Sequence, residues 1–331
     1  MAVTSQSAKP SGNDSVISVR HLAKEFHLGA NLFSKKREQV VSAVADVSFD
    51  VERGRTLGIV GESGCGKSTT ARCILRLVEP TSGEIHYRKL SPTDQTVEEI
   101  DLGQASESEL RKLRSDLQIV FQDPVASFNP RMTVGASVGE PLVVNTDLTR
   151  DECEERTQEL LALVGLESGY SQRYPHELSG GQRQRIGVAR ALALNPSFIV
   201  CDEPVSALDV SIQAQVLNLL SELQEELALT YLFISHDLAV VRQICDEVAV
   251  MYLGKIVEQA HVEKLFSEPT HPYTHALLSA APVADPNKQR KRRRILLEGD
   301  VPSPINPPPG CRFQSRCETG RSHDLCRDVE P

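Results

Sequence analysis

The glycine-rich run at residues 61–69 constrains the fold of this chain more than any other feature. It reads Gly-Glu-Ser-Gly-Cys-Gly-Lys-Ser-Thr, which fits the pattern G-x-x-x-x-G-K-[ST], and it follows an apolar run at 55–60. The glycines permit a tight turn in which successive backbone N–H groups point at phosphate oxygens. Lys67 adds a cation, Ser68 offers a hydroxyl to Mg²⁺, and the next helix contributes the partial positive charge of its N-terminus. We therefore predict a strand–loop–helix unit that binds a nucleoside triphosphate through Gly61, Glu62, Ser63, Gly64, Cys65, Gly66, Lys67, Ser68 and Thr69.

Two carboxylates stand directly after a short apolar run at 198–201. Asp202 is placed to hold Mg²⁺, and Glu203 can orient and polarise an attacking water as a general base. The alternative is a pair of acids that merely ends a strand. The phosphate loop favours the first interpretation, because phosphoryl transfer needs both a metal ion and a positioned water.

A second small-residue motif, Leu-Ser-Gly-Gly-Gln at 178–182, resembles the signature motif of ATP-binding cassette (ABC) proteins. Three further matches stand in the family's order: Gln122 in the Q-loop, Asp209 at the end of the D-loop, and the switch histidine His236. The resemblance implies an α/β fold, a P-loop NTPase ABC cassette with a mixed sheet core, an antiparallel β subdomain and an inserted helical subdomain. It also implies that the chain hydrolyses ATP with Mg²⁺.

The resemblance assigns the signature motif to the ATP of a partner chain. Ser179, Gly180 and Gly181 would contact the γ-phosphate held by the partner's phosphate loop, and Gln182 and Asp209 would act at the same interface. A helix that starts with small residues exposes free N–H donors to an anion, which supports this interpretation. The motif residues are Ser179, Gly180, Gly181 and Gln182.

The resemblance also assigns residues to the ATP site that this chain forms itself. By resemblance, the catalytic residues are Glu203, His236 and Gln122. Mg²⁺ would be held by Ser68, Gln122 and Asp202. Phe26 resembles the aromatic residue that stacks on adenine, although a phenylalanine at a strand end is also common in a core.

Among ABC proteins, the chain is most similar to the ATP-binding subunits of dipeptide/oligopeptide importers. That resemblance covers about residues 16–326 and is carried by the segments 121–130, 201–215, 271–278 and 299–311. It implies a peripheral subunit on the cytoplasmic face of the inner membrane that drives uptake of di- or oligopeptides. Its partners would be a second ABC ATP-binding subunit, identical or related, two membrane permeases and an external solute-binding protein. Relatives carry nickel, glutathione or oligosaccharides, and a soluble ABC ATPase outside transport is a further alternative.

Net charge and hydropathy limit the classes of partner that this chain is expected to bind. The net charge is −9, so no global basic field attracts nucleic acid, and no nucleic-acid partner is expected. A basic run at 288–294 is a solvated charged strip or, alternatively, a contact with RNA or anionic lipid. No apolar run approaches about 18 residues, and residues 1–13 lack the apolar core of a signal peptide. The cysteine usage favours a reducing compartment.

The last three cysteines leave the metal content open. Cys311, Cys317 and Cys326 resemble a cluster that holds a [4Fe–4S] centre in some family members. Such centres normally have four thiolate ligands, and this chain offers three. His323 could instead complete a Cys₃His zinc site. No metal, an iron–sulfur cluster with an incomplete or outside ligand, and zinc are therefore three alternatives.

We predict three parts along the chain. Residues 1–15 are a flexible tail, 16–275 form the nucleotide-binding domain with a helical subdomain at about 124–190, and 276–331 form a Pro-rich, basic, Cys-bearing extension. Alternating residues at 16–19 and 47–51 predict antiparallel strands, and apolar runs at 198–201 and 231–234 predict buried parallel strands. The polar, acidic stretch at 92–108 is expected to be a surface excursion.

Overall fold

The computed structural model describes residues 14–28, 39–91, 96–123, 127–281, 295–320 and 325–329. Residues 1–13 of the predicted tail, the whole basic run at 288–294, and His323 lie outside these ranges. The described residues form two β-sheets, one of six strands and one of four, with helices packed around them.

The centre of the fold is the six-stranded sheet. Its strands, in spatial order, are β10 (Lys255–His261), β9 (Glu247–Tyr252), β3 (Thr56–Val60), β8 (Thr230–Ser235), β7 (Phe198–Asp202) and β6 (Leu117–Val120). β10 runs antiparallel to β9, and the other neighbouring pairs are parallel. β7 and β8 are buried along their whole length, which confirms the predicted buried parallel strands. Because β3, β8 and β7 are parallel neighbours, their carboxyl ends meet at one edge of the sheet.

The second sheet is four-stranded and antiparallel. Its strands, in spatial order, are β2 (Gln39–Glu52), β1 (Ser15–Leu28), β4 (Ser82–Leu90) and β5 (Val97–Asp101). β1 and β2 contain the segments 16–19 and 47–51, so both predicted antiparallel strands are confirmed. One face of this sheet packs against β3 and the first helix through buried residues such as Val19 and Phe49.

The predicted surface excursion at 92–108 is wrong for part of its length, because β5 lies within it. The acidic side chains of β5 face basic ones of β4, as where Arg88 Nε donates to Glu99 Oε2 at 2.9 Å. Leu102, directly after β5, is fully buried. The acidic composition that suggested a loop is that of a charged edge strand, a common device against pairing with other chains.

Helices pack around the core sheet, and three of them form a separate group in the part of the chain that joins β6 to β7. Their bounds are α1 (Lys67–Ile74), α2 (Glu107–Leu113), α3 (Val134–Asn145), α4 (Arg150–Leu163), α5 (Gly180–Leu192), α6 (Val210–Leu227), α7 (Leu238–Ile244), α8 (Val262–Ser267), α9 (Pro272–Ala280) and α10 (Leu325–Asp328). The group of α3, α4 and α5 corresponds to the predicted helical subdomain. Each of these helices begins at a capping hydroxyl, on Thr133, Thr149 and Ser179. Within the described ranges, no helix combines the length and the hydrophobicity needed to cross a membrane.

The C-terminal extension packs into the main core. Phe313 is buried, and Cys311 and Cys317 are buried beside it in the apolar cluster that also contains β7, β8 and the helical group. The described part of the extension adds no strand to the core sheet. The predicted boundary between residues 275 and 276 falls inside α9, and the division into domains stays a prediction.

Candidate nucleotide-binding site

The phosphate loop joins β3 to α1 and lies tightly against its neighbours. Gly66 has φ 110°, in the left-handed region that favours glycine, and a side chain there would collide with the carbonyl oxygen of Ala43. A side chain at Gly61 would collide with the carbonyl oxygen of Met251, at the end of β9. Gly66 is also the N-cap of α1 and makes no side-chain cap, so the first-turn N–H groups of this helix are left for an anion.

Lys67 lies along the inside of the phosphate loop. Its Nζ donates to the carbonyl oxygen of Gly61 at 2.8 Å and to that of Glu62 at 3.0 Å. The side chain is almost fully buried, with 5 % of the residue exposed. The ammonium group is therefore held where the loop closes, beside the N-terminus of α1.

Ser68 and Asp202 meet at the carboxyl edge of the core sheet. Ser68 Oγ donates to Asp202 Oδ1 at 2.8 Å, which joins the first turn of α1 to the end of β7. Burial raises the pKa of Asp202, and the hydrogen bond from Ser68 opposes that rise. A hydroxyl and a carboxylate oxygen are hard ligands of the kind Mg²⁺ prefers, so this donor set fits the expected metal ion.

The three residues expected to be catalytic, Gln122, Glu203 and His236, meet at the Glu203 carboxylate. Its Oε2 accepts from Gln122 Nε2 at 3.0 Å and lies 3.2 Å from His236 Nδ1. The φ of Glu203 is 48°, a left-handed conformation that costs a non-glycine residue about 1–3 kcal/mol and that is concentrated at functional sites. The backbone N–H of Glu203 donates to the carbonyl oxygen of Ile234 at 3.0 Å, which fixes this turn to β8.

These groups line one cavity of about 500 Å³. Its lining residues are Ala43, Ser63, Gly64, Gly66, Lys67, Ser68, Thr69, Gln122, Glu203 and His236. Cys65 is buried beneath the loop, and this burial raises the pKa of its thiol. Phe26 lies on β1 outside this lining, with 37 % of the residue exposed and Lys24 Nζ 4.9 Å from its ring centre.

The signature motif starts α5 and does not line this cavity. Ser179 Oγ accepts from the N–H of Gln182 at 3.3 Å, and Gln182 Oε1 accepts from the N–H of Ser179 at 2.9 Å, which makes a capping box. Gly180 is exposed, whereas a side chain at Gly181 would collide with Ile212 of α6. The second glycine therefore has a packing reason, namely the close approach of α5 and α6.

Asp209 is the N-cap residue of α6 and lies exposed near the signature motif in the fold. Its carboxylate makes no capping hydrogen bond to the helix. The close packing of α5 on α6 at Gly181 places the starts of these two helices in one region of the surface. The structure thus groups the motif residues into two sets, one around the cavity and one on a separate exposed face.

Sequence reasoning missed two side chains that contact the phosphate loop from its outer side. The backbone N–H of Glu62 donates to Tyr273 Oη at 3.0 Å, and Arg316 Nη1 lies 2.9 Å from Glu62 Oε2. Tyr273 and Arg316 stand 211 and 254 positions further along the chain than Glu62. No local pattern signals contacts over such a separation.

The C-terminal cysteines cluster around Gly320. The Gly320 N–H donates to Cys317 Sγ at 3.1 Å, and a Cβ built on Gly320 would lie 3.6 Å from Cys326 Sγ. Burial raises the pKa of the Cys311 thiol. Among the described residues, no group of three His, Cys, Asp or Glu side chains is arranged to hold a metal ion, and His323 lies outside them. The described donor set does not by itself make either of the two predicted metal sites.

Two family models match the chain. The model described as ABC transporter matches residues 44–206, and the model described as Oligopeptide/dipeptide transporter, C-terminal region, matches residues 257–326. The first match contains the phosphate loop, the signature motif and both carboxylates after β7. The second contains α9 and most of the extension.

Known relatives match almost the whole chain. The oligopeptide transport ATP-binding protein AppF of Bacillus subtilis (strain 168) is 51 % identical over 319 residues, which cover 96 % of this chain and 93 % of that protein. The dipeptide transport ATP-binding protein DppF of Escherichia coli (strain K12) is 47 % identical over 310 residues, which cover 94 % and 88 %.

Solved structures of ABC proteins share the fold. The dimeric structure of the ATP-binding cassette MJ0796, in a post-hydrolysis state bound to ADP and Pi, has a TM-score of 0.62 at 29 % identity and covers 74 % of this chain and 98 % of that chain. The cbiO1 protein from Clostridium perfringens, part of the ABC transporter complex cbiONQ, has a TM-score of 0.62 at 30 % identity and covers 77 % and 92 %. Motifs, fold and near full-length relatives agree: the chain belongs to the ATP-binding cassette family and is an ATPase of the ABC transporter type.

Proposed function

We propose that this chain is the ATP-hydrolysing subunit of an importer for di- and oligopeptides. The observation that carries the proposal is the meeting of Gln122, Glu203 and His236 at the cavity of the phosphate loop. The peptide substrate is supported by the relatives named for oligopeptide and dipeptide transport and by the matching C-terminal region at 257–326.

In this proposal the phosphate loop binds ATP and the acids after β7 serve hydrolysis. Lys67 and the first-turn N–H groups of α1 bind the β- and γ-phosphates. Ser68 and Asp202, with Gln122 nearby, hold Mg²⁺, which supplies positive charge against the phosphate oxygens. Glu203 takes a proton from the water that attacks the γ-phosphorus, so that the bond to the β–γ bridging oxygen breaks and ADP leaves.

Gln122 and His236 are assigned to position Glu203 and the γ-phosphate. His236 lies directly after β8, Gln122 is the second residue after β6, and each contacts the Glu203 carboxylate. His236 is also the residue that would sense the presence of the γ-phosphate, because its ring lies at the mouth of the cavity with 56 % of the side chain exposed. Loss of the γ-phosphate would free both side chains to move.

The signature face supplies the second half of a shared site. Ser179, Gly180 and Gly181 would contact the γ-phosphate of ATP held by a second cassette, identical or related, and Gln182 and Asp209 would lie at the same junction. This assignment is supported by their separation from this chain's own cavity. ATP buried between two cassettes favours the closed pair, and hydrolysis removes the phosphate that both chains contact.

An apolar groove beside Gln122 is the proposed seat of a membrane permease. A cavity of about 430 Å³ lies between β6 and the helical group and is lined by residues that include Phe121, Glu140 and Val144. Phe121 and Val144 are 40 % and 73 % exposed, and exposed apolar side chains that lie together mark interaction sites. We place the chain on the cytoplasmic face of the inner membrane, below two permeases that receive solute from an external binding protein.

Uptake tests the proposed substrate. In proteoliposomes that hold the permeases, the binding protein and this chain, labelled dipeptide should enter only with ATP, and Lys67→Ala should stop it. Uptake of nickel, glutathione or an oligosaccharide without peptide uptake would change the substrate, and ATPase activity without any transport would favour a soluble ATPase.

The metal content of the cysteine cluster stays a prediction with three alternatives. Cys311, Cys317 and Cys326 are close in the fold, but no three ligand side chains among the described residues are arranged to hold a metal ion. Anaerobic purification followed by iron, sulfide and zinc analysis distinguishes a [4Fe–4S] cluster from zinc and from metal-free protein.

A further inference from the structure

A short piece of the C-terminal extension, residues 304–317, contacts the surroundings of the phosphate loop and contributes no residue to the lining of the cavity. The carbonyl oxygen of Pro304 accepts from the N–H of Ser42 on β2 at 3.0 Å. Arg312 Nη1 donates to the carbonyl oxygen of Leu253 at 2.5 Å, in the turn between β9 and β10. The next residue in that turn, Gly254, donates its N–H to the carbonyl oxygen of Cys65 in the phosphate loop at 2.7 Å.

The most direct contact is an ion pair between the extension and the phosphate loop. Arg316 Nη1 lies 2.9 Å from Glu62 Oε2, and Nη2 lies 3.3 Å from Glu62 Oε1, so each arm of the guanidinium contacts one oxygen of the carboxylate. The side chain of Arg316 is only 9 % exposed and that of Glu62 is 32 % exposed. Two-armed pairs of this kind fix orientation as well as distance, which a lysine cannot do.

Glu62 is held at each of its polar groups. Its N–H donates to Tyr273 Oη, its carboxylate contacts Arg316, and its carbonyl oxygen accepts from Lys67 Nζ at 3.0 Å. Tyr273 is fully buried, so its hydroxyl is a rigid partner. The position of Glu62 therefore sets the position of a carbonyl that holds Lys67, the cation expected to bind phosphate.

An aromatic cluster anchors the segment that carries Arg316. Phe313 is 1 % exposed, and its ring centre lies 5.2 Å from that of Tyr252, 5.4 Å from that of Tyr273 and 5.6 Å from that of His271. Arg316 lies three positions after Phe313, at the end of a 3₁₀ turn over Gln314–Arg316. The guanidinium is thus presented by a packed turn and not by a free tail.

We propose that Arg316 is a positioning residue for nucleotide binding, and that the C-terminal extension braces the phosphate loop through its contact with Glu62. A loop whose N–H groups must converge on phosphate binds more tightly when it is ordered before the ligand arrives. The brace supplies that order from outside the cavity, so it needs no contact with ATP itself. The inference rests on the phosphate-loop assignment proposed above.

The test is the affinity of the purified full chain for ATP, measured by calorimetry with EDTA present so that hydrolysis does not intervene. Arg316→Gln should weaken ATP binding about tenfold, a size typical of energetic coupling between linked groups. The matched control is Arg55→Gln, which removes a similar ion pair, Arg55 Nη1 to Asp246 Oδ1 at 2.8 Å, at the opposite end of β3. The control should bind ATP like the unchanged chain, and equal affinities for all three proteins would overturn the proposal.

A double-mutant cycle separates the brace from a general loss of structure. If Arg316 acts through Glu62, then Arg316→Gln in a Glu62→Gln background should weaken ATP binding no further than Glu62→Gln alone. In hydrolysis assays the KM for ATP should rise while kcat at saturating ATP stays within about twofold, because the brace affects binding of the ground state. Additive losses in the cycle, or a fall in kcat with an unchanged KM, would contradict it.

Two further variants keep the outcome decisive. Should Arg316→Gln fail to fold, Arg316→Lys keeps the charge without the two-armed contact and should still raise the KM, by a smaller factor. Lys67→Ala tests the underlying assignment: if it binds ATP normally, the phosphate-loop proposal itself fails. If Lys67→Ala loses ATP and Arg316→Lys does not differ from the unchanged chain, the brace alone is wrong.

Discussion

The phosphate-loop face and the signature face of this cassette each present a helix N-terminus, but their surroundings differ. At α1 the N-cap is Gly66, which makes no side-chain cap, and Lys67, Asp202 and Glu203 stand around the free N–H groups. At α5 the N-cap is Ser179, whose side chain and that of Gln182 close a capping box on an exposed surface.

The difference teaches what each face can do alone. The first face contains a cation, hard oxygen ligands and a candidate base around one cavity, so it can bind ATP and position it for attack. The second face offers only backbone donors and a hydroxyl, which suit an anion that another molecule brings. We therefore expect one chain to hold two different halves of a site, so that two chains make a whole one.

The largest effect expected at the first face is that of Glu203→Gln. Removing the base should slow ATP hydrolysis about 10³-fold, within the usual range for a general base, while ATP binding is retained. The amide oxygen of the new glutamine at position 203 can still accept the hydrogen bond from Gln122 Nε2, so the local structure should persist. Phosphate release measures the loss, and light scattering should show an ATP-bound cassette pair that accumulates.

The control for this variant is Glu226→Gln, an exposed carboxylate on α6 away from the cavity. It should hydrolyse ATP at the normal rate. Undiminished turnover by Glu203→Gln would show that Glu203 is not the base. The phosphate-loop face would then have no candidate base to distinguish it from the signature face.

A smaller effect, on ATP affinity, is expected at Phe26, which lies outside the lining of the cavity. Phe26→Ala should weaken ATP binding about tenfold, since stacking of a base on an aromatic ring is worth about 1–3 kcal/mol. Inorganic triphosphate has no base, so its affinity should not change. Calorimetry with both ligands makes the comparison.

Leu90→Ala is the matched control, because Leu90 is an exposed apolar residue on the same antiparallel sheet. It should leave both affinities unchanged. Equal losses for ATP and triphosphate in Phe26→Ala would mean that Phe26 supports the sheet and does not contact adenine.

The first face was largely predictable from the sequence because its parts are local and the fold brings them together by rule. Gln122, Glu203 and His236 each follow a short apolar strand of the core sheet. Parallel strands of one sheet end at the same edge, so residues that follow such strands meet there. The glycine pattern of the phosphate loop likewise reports a backbone shape that only a few residue types permit.

Other features depend on packing between distant parts of the chain. Arg316 contacts Glu62 across 254 positions, and Gly181 is required by the closeness of Ile212, neither of which a local pattern encodes. β5 was missed for another reason, because its acidic residues resemble a loop until the facing Arg88 on β4 is known.

The central claim, that the signature face acts on ATP held by another cassette, is tested most directly by Ser179→Asp. Aspartate caps a helix as well as serine does, and its charge suits a helix N-terminus, so α5 should stay intact. The same charge would repel a γ-phosphate brought to this face. The matched control is Thr133→Asp, an N-cap change on α3 in the same helical group.

The measurement compares ATP affinity of the single chain with hydrolysis by the assembled cassette pair. We predict that Ser179→Asp keeps the single-chain affinity within about twofold and lowers paired hydrolysis about 100-fold, the usual cost of losing a group that stabilises transition-state charge. Thr133→Asp should change neither quantity. Normal hydrolysis by the Ser179→Asp pair, or a loss of ATP affinity in the single chain, would contradict the shared site.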